Sequence, residues 1–173
     1  MRNGKTRSAV ASLFLSIIVL SSAAKADDAK FELKKGSIGR ISVNDPISTT
    51  QKAYSQNQIK KSTIELEGET DDTLEIRLEP KSKQPDLVVR KNGIIVHSPK
   101  FKTASGLGVG STVADIRKIY KVNSFVIDEG CNCIVIDELK MSFSLKDSEA
   151  VEKARGDLKK VPVSTPVVSI WVH

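Results

Sequence analysis

Apolar residues recur at every second position in several stretches of the chain, and that spacing restricts its fold more than any other feature. Ile64 and Leu66 alternate with Glu65 and Glu67, Leu74, Ile76 and Leu78 with Glu75 and Arg77, and Leu139, Met141, Phe143 and Leu145 with Lys140, Ser142 and Ser144. Side chains on a strand point to opposite faces in turn, so each stretch predicts a strand with one buried and one wetted face. Antiparallel sheets read this way, whereas parallel sheets give unbroken apolar runs. Asn92-Gly93, between Leu87-Val-Val-Arg90 and Ile94-Ile-Val96, is a two-residue hairpin signal in which both turn residues accept positive φ. Residues 31–43 read as a leading strand, and 148–155 as a short helix ended by Gly156.

The chain also corresponds to itself. Aligning Tyr54 with Tyr120 sets Ile41-Ser-Val-Asn-Asp-Pro-Ile against Leu107-Gly-Val-Gly-Ser-Thr-Val, and matches Val43 with Val109, Ile47 with Val113 and Lys52 with Lys118. Each copy opens on a helix start. Asp45 can cap a helix whose first residue is Pro46, and Ser111 or Thr112 can cap the other, with Asp115 completing a Thr-x-x-Asp capping box. Helices are expected near 46–55 and 112–121. Downstream, Ile94-Ile-Val-His97 resembles Ile170-Trp-Val-His173, and an insertion such as residues 146–160 accounts for the wider spacing of the second copy. Repeats at about 36–100 and 101–173, each a helix followed by three or four antiparallel strands, predict a two-layer α+β fold in one domain over 27–173.

The phrase Gly108-Val-Gly-Ser-Thr-Val-Ala-Asp-Ile-Arg-Lys-Ile-Tyr120 resembles the opening of repeats in small exported bacterial proteins of the β-lactamase-inhibitor-like and SmpA/OmlA class. There a Gly-Met-Thr-like turn starts a helix that packs on a small antiparallel sheet; here Ser111 stands where Met is usual. The resemblance implies a non-enzymatic protein that binds another macromolecule of the envelope.

Residues 1–26 have the layout of a secretory signal peptide. Arg2, Lys5 and Arg7 precede an apolar run from Ala9 to Leu20, and Ala24-x-Ala26 presents small side chains just before Asp27-Asp28. Cleavage is expected after Ala26, giving a soluble periplasmic or secreted protein. The run is shorter than the roughly 20 residues of a spanning helix, and no cysteine near the cut offers a lipid attachment. Removing this segment takes away four cations (Arg2, Lys5, Arg7, Lys25) and no acid, which lowers the formal charge from +6 to +2. Nucleic-acid binding thereby loses its main support. The pairs Lys34-Lys35, Lys60-Lys61 and Lys159-Lys160 are scattered without interleaved aromatics.

Cys131-Asn-Cys133 follows Gly130 where a hairpin tip is expected. In an oxidising compartment the two thiols should pair, although residues i and i+2 of an extended strand stand roughly 6.5 to 7 Å apart, at the edge of disulfide reach. An intermolecular or redox-active pair and a metal pair are the alternatives. A metal would need His97 and His173, the only histidines, brought close to the sulfurs. Each otherwise reads as an ordinary group at a strand end.

Gly106-Leu-Gly108-Val-Gly110-Ser111-Thr112 lacks the Gly-Lys-Ser/Thr end of a phosphate loop and reads as a packed turn. Glu65, Glu67, Glu69, Asp71 and Asp72 read as the solvated face of a strand and its turn rather than a calcium site. No Gly-x-Ser-x-Gly elbow or other complete set of nucleophile and base stands out. The expectation is therefore an exported binding module that is not an enzyme and carries no cofactor, metal or membrane span. Its partner is an envelope protein or other macromolecule, contacted through hairpin loops carrying Asp128, Glu129, Asn132, Lys91 and Asn92. A metal-binding or redox-active protein using the Cys-x-Cys, and a cell-wall hydrolase-like enzyme built on paired carboxylates, are the competing readings.

Overall fold

The computed structural model describes residues 29–66, 69–128 and 131–173. The proposed signal peptide lies outside the described residues, as do Glu67 and Glu129. The fold is α+β: among the described residues, three α-helices accompany two sheets. Twelve strands run in chain order as β1 (Glu32–Lys34), β2 (Ser37–Ile38), β3 (Ile41–Ser42), β4 (Ile59–Leu66), β5 (Glu69–Ile76), β6 (Leu87–Arg90), β7 (Gly93–Val96), β8 (Lys102–Thr103), β9 (Val126–Asp128), β10 (Cys131–Ile136), β11 (Met141–Leu145) and β12 (Val167–Val172). The helices are α1 (Ile47–Ala53), α2 (Val113–Ile119) and α3 (Glu149–Ala154). No helix among the described residues is long and apolar enough to cross a membrane.

The main sheet has eight strands in the order β4-β5-β6-β7-β12-β11-β10-β9, and every neighbouring pair is antiparallel. Its register converts the sequence alternation into two apolar rows. Ile76, Leu87, Val96, Ile170, Phe143 and Ile134 face one another across six strands. Leu74, Val89, Ile94, Val172, Met141 and Ile136 form the next row. None of these twelve side chains is more than 6% exposed. Ser144 pairs with Ser169 but Leu145 with Val167, so Val168 is an extra residue on β12. This bulge resets the alternation and lets Val167 enter the core while Val168 faces solvent.

Residues 31–43, expected as one strand, instead form the short meander β1-β2-β3, because Gly36 and Gly39 adopt positive φ and turn the chain twice. At Gly39 a side chain would also collide with the Lys30 carbonyl. The meander pairs with β8 through a parallel β1–β8 contact, giving a second sheet of order β3-β2-β1-β8. Its Leu33, Ile38 and Ile41 join Phe101, Val113, Ile116, Val151 and Leu158 in one core with the two buried rows.

The two helices expected to open the repeats start differently. At α2, Thr112 Oγ1 accepts from the Asp115 N–H and Asp115 Oδ2 accepts from the Thr112 N–H at 3.0 Å, the expected capping box. These hydrogen bonds, with Lys118 beside them, pull the Asp115 carboxyl down to about 2. Ser111 takes a different task and accepts from the Gly108 N–H. At α1 the expected Asp45 cap is absent: its carboxylate accepts from the Ser42 N–H at 2.7 Å, which closes the preceding turn, and Pro46 occupies the cap position without a side-chain bond. Helix α3 is capped by Ser148 and ends where Arg155 and Gly156 both turn left-handed.

Candidate functional site

The face of the main sheet opposite the core is the place where chemistry can meet solvent. Its central row runs Glu75, Val88, Ile95, Trp171, Ser142, Val135. Trp171, the chain's only tryptophan, is 44% exposed there. The indole lies diagonally over Gly93, where an added Cβ would fall inside the contact distance of Trp171 Nε1. His173 flanks it with ring centroids 5.6 Å apart. Gly93 is thus a glycine because a tryptophan rests on it.

That explanation replaces the expected one. The two turn residues of the β6–β7 hairpin are Lys91 and Asn92, since Gly93 already pairs with Arg90, and neither Asn92 nor Gly93 has a positive φ. The turn forms one wall of a groove of about 910 Å³. Residues 43–47 form a second wall and Thr70, Asp71 and Asp72 a third, with Trp171 at its margin. The β4–β5 hairpin makes the groove possible because it extends past the end of β6, whose pairing with β5 covers only Leu74, Glu75 and Ile76. Arg90 Nε lies 3.8 Å from Asp71 Oδ2, so one guanidinium and one carboxylate are held together in the groove. Asp72, Asn44 and Asn92 add further polar side chains along it.

Of the anticipated binding residues, the fold gathers Lys91 and Asn92 in this groove and places Asp128 and Asn132 at the opposite edge of the sheet, while Glu129 lies outside the described residues. Asp128 pairs with Cys131 across β9–β10, and Asn132 Nδ2 donates to Asp147 Oδ1 at 2.9 Å. Cysteines 131 and 133 lie within β10 rather than at the hairpin tip, with Cα atoms 5.5 Å apart and their Sγ atoms in contact. Ser144 Oγ on β11 is 3.5 Å from the Cys131 sulfur and 3.2 Å from that of Cys133. Cys133 is buried and Cys131 half-buried.

The histidines do not join them. His97 follows β7 and His173 follows β12, and since the two strands are antiparallel with Ile170 opposite Val96, the rings end up at opposite ends of the pair, roughly four residues or 13 Å apart. Among the described residues no group of three or more His, Cys, Asp and Glu side chains converges as a metal would require. His97 is half-buried, and burial lowers its pKa.

Trp171 escaped the sequence reading although a signal for it was present. It stands between Ile170 and Val172, so the alternation that buries those two places it on the wet face, an unusual position for the largest apolar side chain.

A scan against protein-family models finds no match, and no curated protein matches the sequence. Among solved structures, the fold is similar to that of the uncharacterized protein yfeY from Escherichia coli. The TM-score is 0.64 at 12% identity, covering 82% of this chain and 99% of that one. At that identity the likeness is one of fold alone.

Proposed function

We propose that this chain is an exported, non-enzymatic binding module that recognises an envelope protein or other macromolecule through the groove beside Trp171. The observation that carries this reading is the exposed indole, fixed over Gly93 at the margin of a polar groove that holds an Arg90–Asp71 pair. Tryptophan and arginine are the side chains that most often anchor interfaces, because they offer large contact area together with directed hydrogen bonds. Export rests on the three-part pattern of residues 1–26, with cleavage after Ala26. The likeness of the Gly108–Tyr120 phrase to repeats of exported binding proteins supports the same reading.

The module is built as a tandem duplication in this proposal. What supports it is the reciprocal register at the centre of the main sheet: Ile94 pairs with Val172, Ile95 with Trp171 and Val96 with Ile170, so the segments that resemble each other meet about a two-fold axis.

The test is capture from an envelope extract by the chain starting at Asp27, in parallel with Trp171→Ala and with a replacement of residues 128–133. Loss of the captured partner with Trp171→Ala, by about 30-fold or more in affinity, is the expected result for an anchor residue, while the 128–133 replacement leaves capture intact. No specific partner, together with turnover of a glycan or peptide substrate, would make the reading wrong.

A further inference from the structure

We propose that Cys131 and Cys133 form a reversible disulfide that exchanges with external thiols, a redox site separate from the groove. A bridge between these two positions has no evident structural task. Both cysteines belong to β10, whose backbone is already held by β9 on one side and β11 on the other, so the bond joins no two elements. Only one residue separates them, and the stabilisation a disulfide gives through the unfolded chain is smallest for such short loops. The pair also sits on the open face of the sheet, beside the edge strand β9 with its exposed Val126 and Ile127.

The surroundings distinguish the two sulfurs. Cys131 is half-buried, so a thiolate from solvent can reach it, whereas Cys133 is only 6% exposed. The Ser144 hydroxyl, 3.2 Å from the Cys133 sulfur, can donate a hydrogen bond to the thiolate that leaves. Exchange depends on access, on which sulfur is attacked and on how readily the other departs, and this arrangement assigns those roles. A thiolate attacks Sγ of Cys131, the sulfur–sulfur bond breaks, and Cys133 leaves as a thiolate that then takes a proton from water. A second thiolate attacks the external sulfur of the mixed disulfide and frees Cys131 as a thiolate, which also takes a proton from water, the two protons being those the external thiols gave up on ionising. Two external thiols have then become one disulfide, and the protein pair has gained two electrons and two protons. The co-reactant is a thiol, either a small molecule or the dithiol of a partner protein.

The experiment is alkylation and mass measurement of the native chain, starting at Asp27, in reduced and oxidised glutathione mixtures, with circular dichroism recorded on the same samples. The expected result is a bridge that opens and closes while the protein stays folded. In single variants, Cys133→Ser should take up glutathione at Cys131 about tenfold faster than Cys131→Ser does at Cys133, and Ser144→Ala should slow opening of the wild-type pair several-fold. Dithiothreitol reducing the pair as well as glutathione shows that any thiol serves, whereas reduction by a thioredoxin-class dithiol alone would point to a protein as the source of electrons; either supports exchange. Two free thiols in freshly purified protein under air, a bridge that opens only in denaturant, or equal uptake at the two sulfurs would overturn the proposal.

Discussion

The two faces of the main sheet are built from the same strands, one residue out of phase, and they behave as different materials. On the inner face twelve side chains from six strands meet at no more than 6% exposure and share one core with the helices and the small sheet. On the outer face Val88, Ile95, Trp171 and Val135 lie in a row with Glu75 and Ser142, next to His97 and the cysteines. The inner face is a packing problem, in which volume is everything. The outer face mixes small covered groups, with Ser142 7% and Cys133 6% exposed, and a Trp171 indole that is 44% exposed, so accessible side chains there can carry sites.

The sharpest test of that contrast is truncation on the buried side. Phe143→Ala removes a fully buried ring from the middle of one apolar row and should cost about 3 to 5 kcal/mol in a urea titration. Ser142→Ala, one residue away on the other face, removes only a small hydroxyl from a side chain that is 7% exposed, and should shift the midpoint little. Equal losses at the two positions would mean that the outer face is packed after all.

Gly93→Ala comes next. A methyl group there meets the Trp171 ring and the Val172 carbonyl, and should cost about 1 to 3 kcal/mol by overpacking. Adding Trp171→Ala should recover much of that loss, a coupling measurable as a double-mutant cycle. The layer that covers the inner face depends on its helix starts, so Thr112→Ala, which removes the capping hydroxyl of α2, should lower stability by about 1 kcal/mol. An equivalent Asp45→Ala should act on the turn at Ser42 instead, leaving the helical signal of α1 unchanged.

The smallest effect is the most specific to the outer face. Burial lowers the pKa of His97 below 6.5, so the unfolded chain binds the proton more readily. The associated stability is present in full above pH 6.5 and is lost as pH falls below that value. His97→Asn should therefore flatten the stability profile in the acid limb just below pH 6.5. The window for Asp115 is separate: its contribution is present above pH 3.8 and is lost as pH falls toward about 2. A profile of wild type and His97→Asn that superimposes between pH 7 and 5 would contradict the buried imidazole.

Much of the architecture was legible because alternation is a local code. Met141, Phe143 and Leu145, and Leu74 with Ile76, announce an inward face two residues at a time, and the Thr112–Asp115 box marks the start of a helix at Val113. Leu139 and Leu78 extended the pattern beyond the strands; the chain turns at residues 137–140, and Leu78 lies past the end of β5. The parallel β1–β8 contact was not legible, since it joins segments about 70 residues apart and leaves no periodic trace in either.

By itself, then, the sequence determined which side chains share a face, where two of the three helices begin and that the sheet is antiparallel. Those properties depend on backbone periodicity and on hydrogen bonds spanning three residues. Only the tertiary structure decided that Gly93 makes room for Trp171, that Lys91 and Asn92 line a groove with Asp71 and Asp72, that Ser144 touches both cysteine sulfurs, and that His97 and His173 stay apart. Each of these is set by strand order and register across the sheet, and a side chain two strands away exerts no influence on local sequence until the strands have paired.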